Sequence, residues 1–263
     1  MTVPRTAGAG ALIGLAAVAA LVVAWLPPIR QDLGYHQMAD GRTLLGVPNA
    51  LNVLSNLAFV AVGALGLWGL GRGESASGAP FVEPSERWAY AVFFASLALT
   101  GLGSAYYHAA PDNARLLWDR LPLAATLMAL FAATIAERLS VGAGLLLLPL
   151  LTALGLASVL QWYAGEVHGR GDLRLYGVVQ FYPMLAIPLL LLLREPRYTG
   201  GGWLVAALGL YAAAKLFEAL DAVIFDLGHV VSGHTLKHLA AALAGLAIWR
   251  MLYTRHPVRG VLP

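Results

Sequence analysis

Apolar residues arrive along this chain in runs of about 20, separated by short links rich in proline, glycine and charge. A run of that length makes a helix able to cross a hydrocarbon layer of roughly 30 Å. Eight runs qualify, approximately Ala7–Leu26, Asn49–Leu70, Trp88–His108, Leu116–Ile135, Val141–Trp162, Leu175–Leu193, Trp203–Ile224 and Val231–Met251. The links carry residues that stop helices: Pro27-Pro28, the stretch Gly71–Pro84, Pro111-Asp112, Gly169-Arg170-Gly171 and Gly200–Gly202. None is longer than about 22 residues, too short to fold as a separate soluble domain. The pattern predicts an all-α polytopic membrane bundle.

Composition agrees. Of 263 residues, 59% are apolar and 12% charged, with a mean hydropathy of +0.70. A soluble domain carries roughly 25% charged residues, and this chain has too few to cover so much apolar surface. The formal charge of +3 is spread over the links, not gathered in a patch or tail, so nucleic acid is not an expected partner. Cysteine is absent, which excludes disulfides and thiolate metal sites and leaves His, Asp and Glu as metal ligands.

The first run begins near Arg5, exceeds the roughly 7–15 residues of a signal-peptide core and ends without a small-x-small site, so a retained anchor is expected. Charge in the links predicts orientation. Arg5, Arg72, Arg87, Arg138, Arg194, Arg197, Arg250, Arg255 and Arg259 fall on one side, against Arg30, Arg42, Arg115, Arg170 and Arg174 on the other. The richer side is expected to be cytoplasmic and to hold both termini. Compact links and the lack of Cys fit a bacterial inner membrane.

Ionisable residues inside spans are costly and mark functional sites. Here they gather at three span ends, which alternation of the spans brings to one outward side: Gly101-Leu102-Gly103-Ser104-Ala105-Tyr106-Tyr107-His108, Leu116-Leu117-Trp118-Asp119-Arg120, and Ser232-Gly233-His234-Thr235-Leu236-Lys237-His238. His234 and His238 are four apart, which sets both imidazoles on one helix face about 6 Å apart at Cβ. Ser104 and His108 share a face by the same rule, and the short link Ala109 to Arg115 turns the chain back so that Asp119 comes near His108. Three neutral imidazoles with one tetrahedral position open are the pattern of a catalytic zinc site. Asp119 suits a general base and proton donor, and Ser104 a hydrogen-bond donor to an oxyanion. Taken singly, an interfacial His is usually solvated and an HxxxH pair often arises by chance. The five together on one face are the stronger signal.

The set Ser104-x3-His108, Asp119 and His234-x3-His238, with the segment Asn52-Val53-Leu54-Ser55-Asn56, resembles the signature of the alkaline ceramidase family. That family belongs to a superfamily of seven-span membrane hydrolases that includes the adiponectin receptors. The likeness runs from about Asn49 to Met251. It implies a core at residues 49–263, preceded by an anchor helix and outward loop at 1–48. It further implies zinc held by His108, His234 and His238, with Asp119 and Ser104 assisting amide hydrolysis. Two features depart from the family pattern: the extra first span, and the stretch Asp32–Asp40, which has few carboxylates where eukaryotic relatives bind calcium. Asn49 stands where an acidic ligand would fall, so calcium regulation is not expected.

Several other polar residues admit two readings. Lys215, Glu218 and Asp221 are spaced i, i+3 and i+6; Lys215 and Glu218 suit an ion pair, and Asp221 suits support of a metal-binding His, or all three fix helix packing. His36 and Asp40 either cap the site or belong to an ordinary polar loop. Asp226, His229 and His168 read as solvated, the two His being reserve ligands. The Gly101-x-Gly103 pair suits close helix approach, and Trp88, Trp162, Trp203 and Trp249 read as interfacial aromatics.

The expected function is a zinc-dependent membrane amidase that cleaves ceramide or a related N-acyl lipid drawn from the bilayer, with no obligate protein partner evident. A receptor or transporter using the His cluster for metal or protons is the alternative, though no convincing internal repeat supports it. A hydrolase of esters or other lipid amides is a third.

Overall fold

In the computed structural model, which describes residues 5–73 and 80–258, the backbone follows the apolar runs closely. The long helices are α1 (Arg5–Trp25), α3 (Leu57–Arg72), α4 (Arg87–Ala109), α5 (Asn113–Arg138), α6 (Val141–Val167), α7 (Arg174–Leu193), α8 (Gly201–Ala219) and α10 (Gly233–Thr254), with short helices α2 (Ala50–Leu54) and α9 (Asp221–Asp226) between them. Among the described residues seven spans are long and apolar enough to cross a membrane, α2 and α3 counting together as one. Helix α10 is equally long but is not one of these seven, since its first two turns carry His234, Lys237 and His238. The chain is thus an all-α polytopic membrane bundle. The middle of the Gly71–Pro84 link and Arg259 lie outside the described residues, as does the side chain of Arg5.

Two spans differ from the run-based reading. The run Asn49–Leu70 is broken between α2 and α3. Ser55 Oγ and Asn56 Nδ2 both donate to the Asn52 carbonyl, at 3.1 and 2.7 Å, and the Asn56 amide turns to Val53 instead. Short polar side chains compete in this way with the helical ladder. The run Trp203–Ile224 stops at Ala219, and α9 follows after Leu220. Ending α8 there leaves Asp221 at the start of a new helix, where it receives backbone N–H groups from two other segments.

Six helices form a ring. Helix α3 packs on α4, α4 on α5, α5 on α7, α8 on α10 and α10 on α3, while α7 and α8 touch only sparingly. Helix α6 lies outside against α5, and α1 lies outside against α7. The α1–α7 contact is tied at one end by Arg174, which donates to the Val23 and Leu26 carbonyls at the end of α1 at 2.8 and 2.5 Å. The last carbonyls of a helix lack internal partners, and a basic side chain satisfies them.

The glycine pair in α4 serves two different neighbours. A Cβ on Gly101 would sit 2.7 Å from the Asn56 carbonyl of the α2–α3 junction, and one on Gly103 would sit 2.0 Å from the Trp118 carbonyl of α5. Residues two apart on a helix face nearly opposite ways, so one short motif seats α4 between both partners. At the end away from His234, buried Arg255 pairs with Glu137 and lies over the Tyr198 ring at 4.0 Å, while Tyr198 donates to Glu86 at 2.6 Å. The start of α1, beside Leu139 and Arg194, and the end of α10 both lie at this end.

Candidate metal centre

Local capping delivers the three histidines. Ala110-Pro111 ends α4 one turn beyond Tyr107, because a residue before proline avoids helical geometry, and Asp112 starts α5 by accepting from the Arg115 amide at 2.7 Å. His108 and Asp119 are thereby held across a tight α4–α5 hairpin. Ser232 caps α10 by accepting from the Thr235 amide at 3.2 Å, which places His234 in the first turn. The free amide of His234 donates to Asp221 Oδ1 at 2.7 Å.

His108, His234 and His238 are all buried and form a group that can hold a metal ion: one ring nitrogen of each lies within 4.8 Å of the others. The ring centroids are 4.7, 4.8 and 4.9 Å apart, and the His108 and His234 Nε2 atoms are 3.2 Å apart. His238 Nε2 is buried with no hydrogen-bond partner. Its other nitrogen, Nδ1, is 2.8 Å from Ser55 Oγ. Ser55 has one hydrogen, and the Asn52 carbonyl 3.1 Å away takes it. Ser55 therefore accepts from His238 Nδ1–H, and the lone pair stands on Nε2. A histidine so held by its outer nitrogen is oriented and basic enough to bind a metal.

Asp119 and Ser104 both line a cavity of about 140 Å³ whose wall also includes His238. All six ring helices contribute to that wall, and Tyr35 closes it from the segment between α1 and α2. A second space of about 60 Å³, lined by apolar side chains including Phe93, Leu97 and Ile248, shares Phe59, Leu123, Tyr211 and Ala241 with the first. Together they make a polar chamber with an apolar extension toward the sparsely packed α7–α8 seam.

Glu218 pairs with Lys215 as spacing predicts, but it also binds Lys237 at 2.7 Å and accepts from the Tyr35 hydroxyl at 3.0 Å. Lys237 Nζ lies 3.2 Å from His234 Nε2. Asp221 reaches His234 through the backbone amide and not the imidazole, so its support is to the helix start; its second oxygen accepts from the Ala39 amide at 3.1 Å. His36 caps the site end: its Nδ1 accepts from the Tyr107 hydroxyl at 3.0 Å and its Nε2 donates to Asn113 at 2.9 Å. Tyr107 in turn packs against the His108 ring at 4.8 Å. Burial, with the nearby Glu218 charge, pushes the Tyr35 phenol well above its ordinary value and keeps it a donor.

The segment before α2 is therefore more than an outward loop. Arg42 pairs with buried Asp40 at 2.7 Å and donates to the His229 and Val230 carbonyls, and Asn49 donates to the His108 carbonyl at 2.8 Å. Arg42 holds the Asp40 carboxyl below the usual carboxylate range. His168 and His229 are exposed and outside the metal-binding group, in keeping with their reading as solvated. Trp162 is a correction: it is fully buried and stacks on Arg120 at 4.3 Å, because α6 runs on to Val167 and carries Trp162 beneath the surface.

Sequence reasoning missed Ser55, Lys237, Tyr35 and Arg120 as members of the site. Lys237 carried a usable signal, since three residues after His234 it must share that helix face. The others act through contacts distant in sequence. Comparison with protein-family models, with curated proteins and with solved structures returned no match. Fold and site together define the class: a polytopic helical membrane protein with a buried three-histidine group able to hold a metal ion.

Proposed function

We propose that this protein is a zinc-dependent integral membrane hydrolase that cleaves the amide bond of ceramide or a similar N-acyl lipid, releasing a fatty acid and a free amine. The observation that carries the reading is the convergence of three buried imidazoles, among them His238 with its unpartnered Nε2, beside a cavity wall that holds Asp119 and Ser104. Nitrogens on a tetrahedral zinc with bonds of about 2.0–2.1 Å lie about 3.3 Å apart, close to the 3.2 Å between His108 and His234. His108, His234 and His238 would hold the ion, and three neutral ligands leave a position open to substrate. When bound, zinc supplies Lewis acidity for the amide carbonyl and for the attacking water.

The chain's own groups do the rest. Asp119 accepts a proton from the attacking water and returns it to the leaving nitrogen. Ser104, on the same cavity wall as Asp119, donates to the oxygen that gains charge. Asp221 and Ser55 hold two of the histidines in register. The apolar extension and the loose α7–α8 seam suit a substrate whose acyl chain stays in lipid while its amide reaches the polar chamber. The likeness to the alkaline ceramidase signature adds the amide as the bond cleaved. Calcium has no role in this reading.

We place both termini on the cytoplasmic face of a bacterial inner membrane and the active site on the outer face. Arg72, Arg87, Arg138, Arg194, Arg197 and Arg255 all lie at the end away from the histidines, as the positive-inside rule requires. The test is zinc content and fatty-acid release from ceramide by purified protein. Stoichiometric zinc that is lost in His234→Ala, with activity lost but zinc kept in Asp119→Asn, is expected. Wild-type protein that binds no zinc overturns the reading, and metal flux in proteoliposomes without lipid turnover would favour a transporter.

A further inference from the structure

The chamber beside the histidines holds an imbalance of charge. Its wall carries three cations, Arg120, Lys215 and Lys237, against two carboxylates, Asp119 and Glu218. Glu218 is already engaged with Lys215, Lys237 and the Tyr35 hydroxyl, and among the described residues Asp119 is ion-paired to none of the three cations. Arg120 is left without an ion pair among the described residues. It is 6% exposed; its Nη2 donates to the neutral Gln31 amide oxygen at 2.7 Å, and its Nη1 has no hydrogen-bond partner. Its guanidinium lies 4.3, 4.9 and 5.7 Å from the rings of Trp162, Tyr176 and Tyr35. Aromatic faces and a neutral amide offset part of the cost of burying a cation, but they do not neutralise it. A buried guanidinium with that surplus calls for an anion, and a carboxylate matches its planar donors best.

We propose that the substrate brings this anion: the chamber recognises a carboxylate on the amine side of the cleaved bond, so the lipid amide is an N-acyl amino acid in preference to a neutral ceramide. This rests on the amidase reading and narrows it. Arg120 and Leu123 stand one turn apart on α5, Arg120 on the polar chamber and Leu123 on both the chamber and its apolar extension. A substrate with an acyl tail and a charged head fits that division. In the reaction the acyl carbon–nitrogen bond breaks and a water oxygen bonds to the acyl carbon. The amide nitrogen ends with both protons of that water, so the products are a fatty-acid carboxylate and a zwitterionic amino acid. No oxidant or co-substrate other than water is needed.

N-palmitoylglycine and N-palmitoylethanolamine test this, since they share the acyl chain and amide and differ at the carboxylate. Binding to the full chain in uncharged detergent is read in chelator, where no zinc-dependent turnover occurs, by displacement of a fluorescent neutral lipid amide. Wild-type protein is expected to bind N-palmitoylglycine at least about tenfold more tightly, the effect of one buried charge-assisted hydrogen bond. That ratio is expected to fall toward one in Arg120→Gln and to persist in part in Arg120→Lys. Equal binding of the two lipids by wild type overturns the proposal whether or not the variants fold, and so does an undiminished ratio in folded Arg120→Gln. Fatty-acid release is measured separately on zinc-loaded protein. Its absence for every lipid amide overturns the amidase reading alone, because the binding ratio is taken without metal.

Discussion

Removing the Ser55 hydroxyl tests the candidate metal centre without touching one of its three histidines. In Ser55→Ala the His238 Nδ1–H loses its acceptor, 2.8 Å away in the wild type, in a place where Ser55 itself is only 9% exposed. The Asn52 carbonyl is still served by Asn56 Nδ2 at 2.7 Å, so the kink between α2 and α3 keeps a hydrogen bond. A buried donor left without a partner costs about 1–3 kcal/mol. Part of that falls on the metal-free fold. The rest falls on metal binding, because the hydroxyl that holds the proton on Nδ1, and so leaves the lone pair on Nε2, is then gone. Loss of such an outer-nitrogen partner typically weakens metal affinity about 10- to 100-fold, which corresponds to about 1.4–2.8 kcal/mol. The assay is competition for zinc against a chelator of known affinity, in detergent, for wild type, Ser55→Ala and Ser55→Thr. Threonine keeps the hydroxyl and is expected to stay near wild type. Ser55→Ala protein that binds zinc within about twofold of wild type would refute the tautomer argument and, with it, the role assigned to His238.

Three further outcomes are expected. Gly103→Ala drives a methyl into the Trp118 carbonyl, 2.0 Å from the Cβ position. It should lower the thermal midpoint by an overpacking cost of about 1–3 kcal/mol or more and reduce zinc occupancy in the same protein, because the α4–α5 seam carries His108 and Asp119. Glu137→Ala strips the carboxylate from Arg255, which is 1% exposed; breaking such a buried pair should cost about 3–5 kcal/mol in unfolding experiments, while zinc affinity at the far end of the bundle stays the same. The Asp40–Arg42 pair sets a pH dependence. The Asp40 carboxyl is held low by Arg42, so its stabilisation of the covering segment is complete above the unfolded value of about 3.9 and is lost as pH falls through the folded value. Hydrogen-exchange protection of residues 29–49, taken relative to the intrinsic rate at each pH, should therefore fall below about pH 4 in the wild type. In Asp40→Asn it should already be low at neutral pH.

The spans and the convergence of the three histidines were open to reading from the chain alone for a simple reason: both depend on local rules. A hydrocarbon layer demands about 20 apolar residues in a row, and helical periodicity brings His234 and His238 to one face whatever surrounds them. Even the meeting of His108 with that pair follows from counting alternate spans. The length of α6 and the breaks at Ser55-Asn56 and Leu220 were less legible, since each is decided by polar side chains or packing that override an apolar run.

What tertiary structure decided is which polar group serves which. Ser55 and His238 are 183 residues apart, as are Tyr35 and Glu218, and no periodicity joins them. Lys237 turns to Glu218 on another helix, and Arg120 turns inward beneath Trp162. In a low-dielectric interior each buried polar atom must find its partner among the groups the fold brings within about 3 Å. The apolar runs set where the helices lie in the membrane; only their packing assigns the hydrogen bonds, the tautomer and the surplus charge from which this site's chemistry is read.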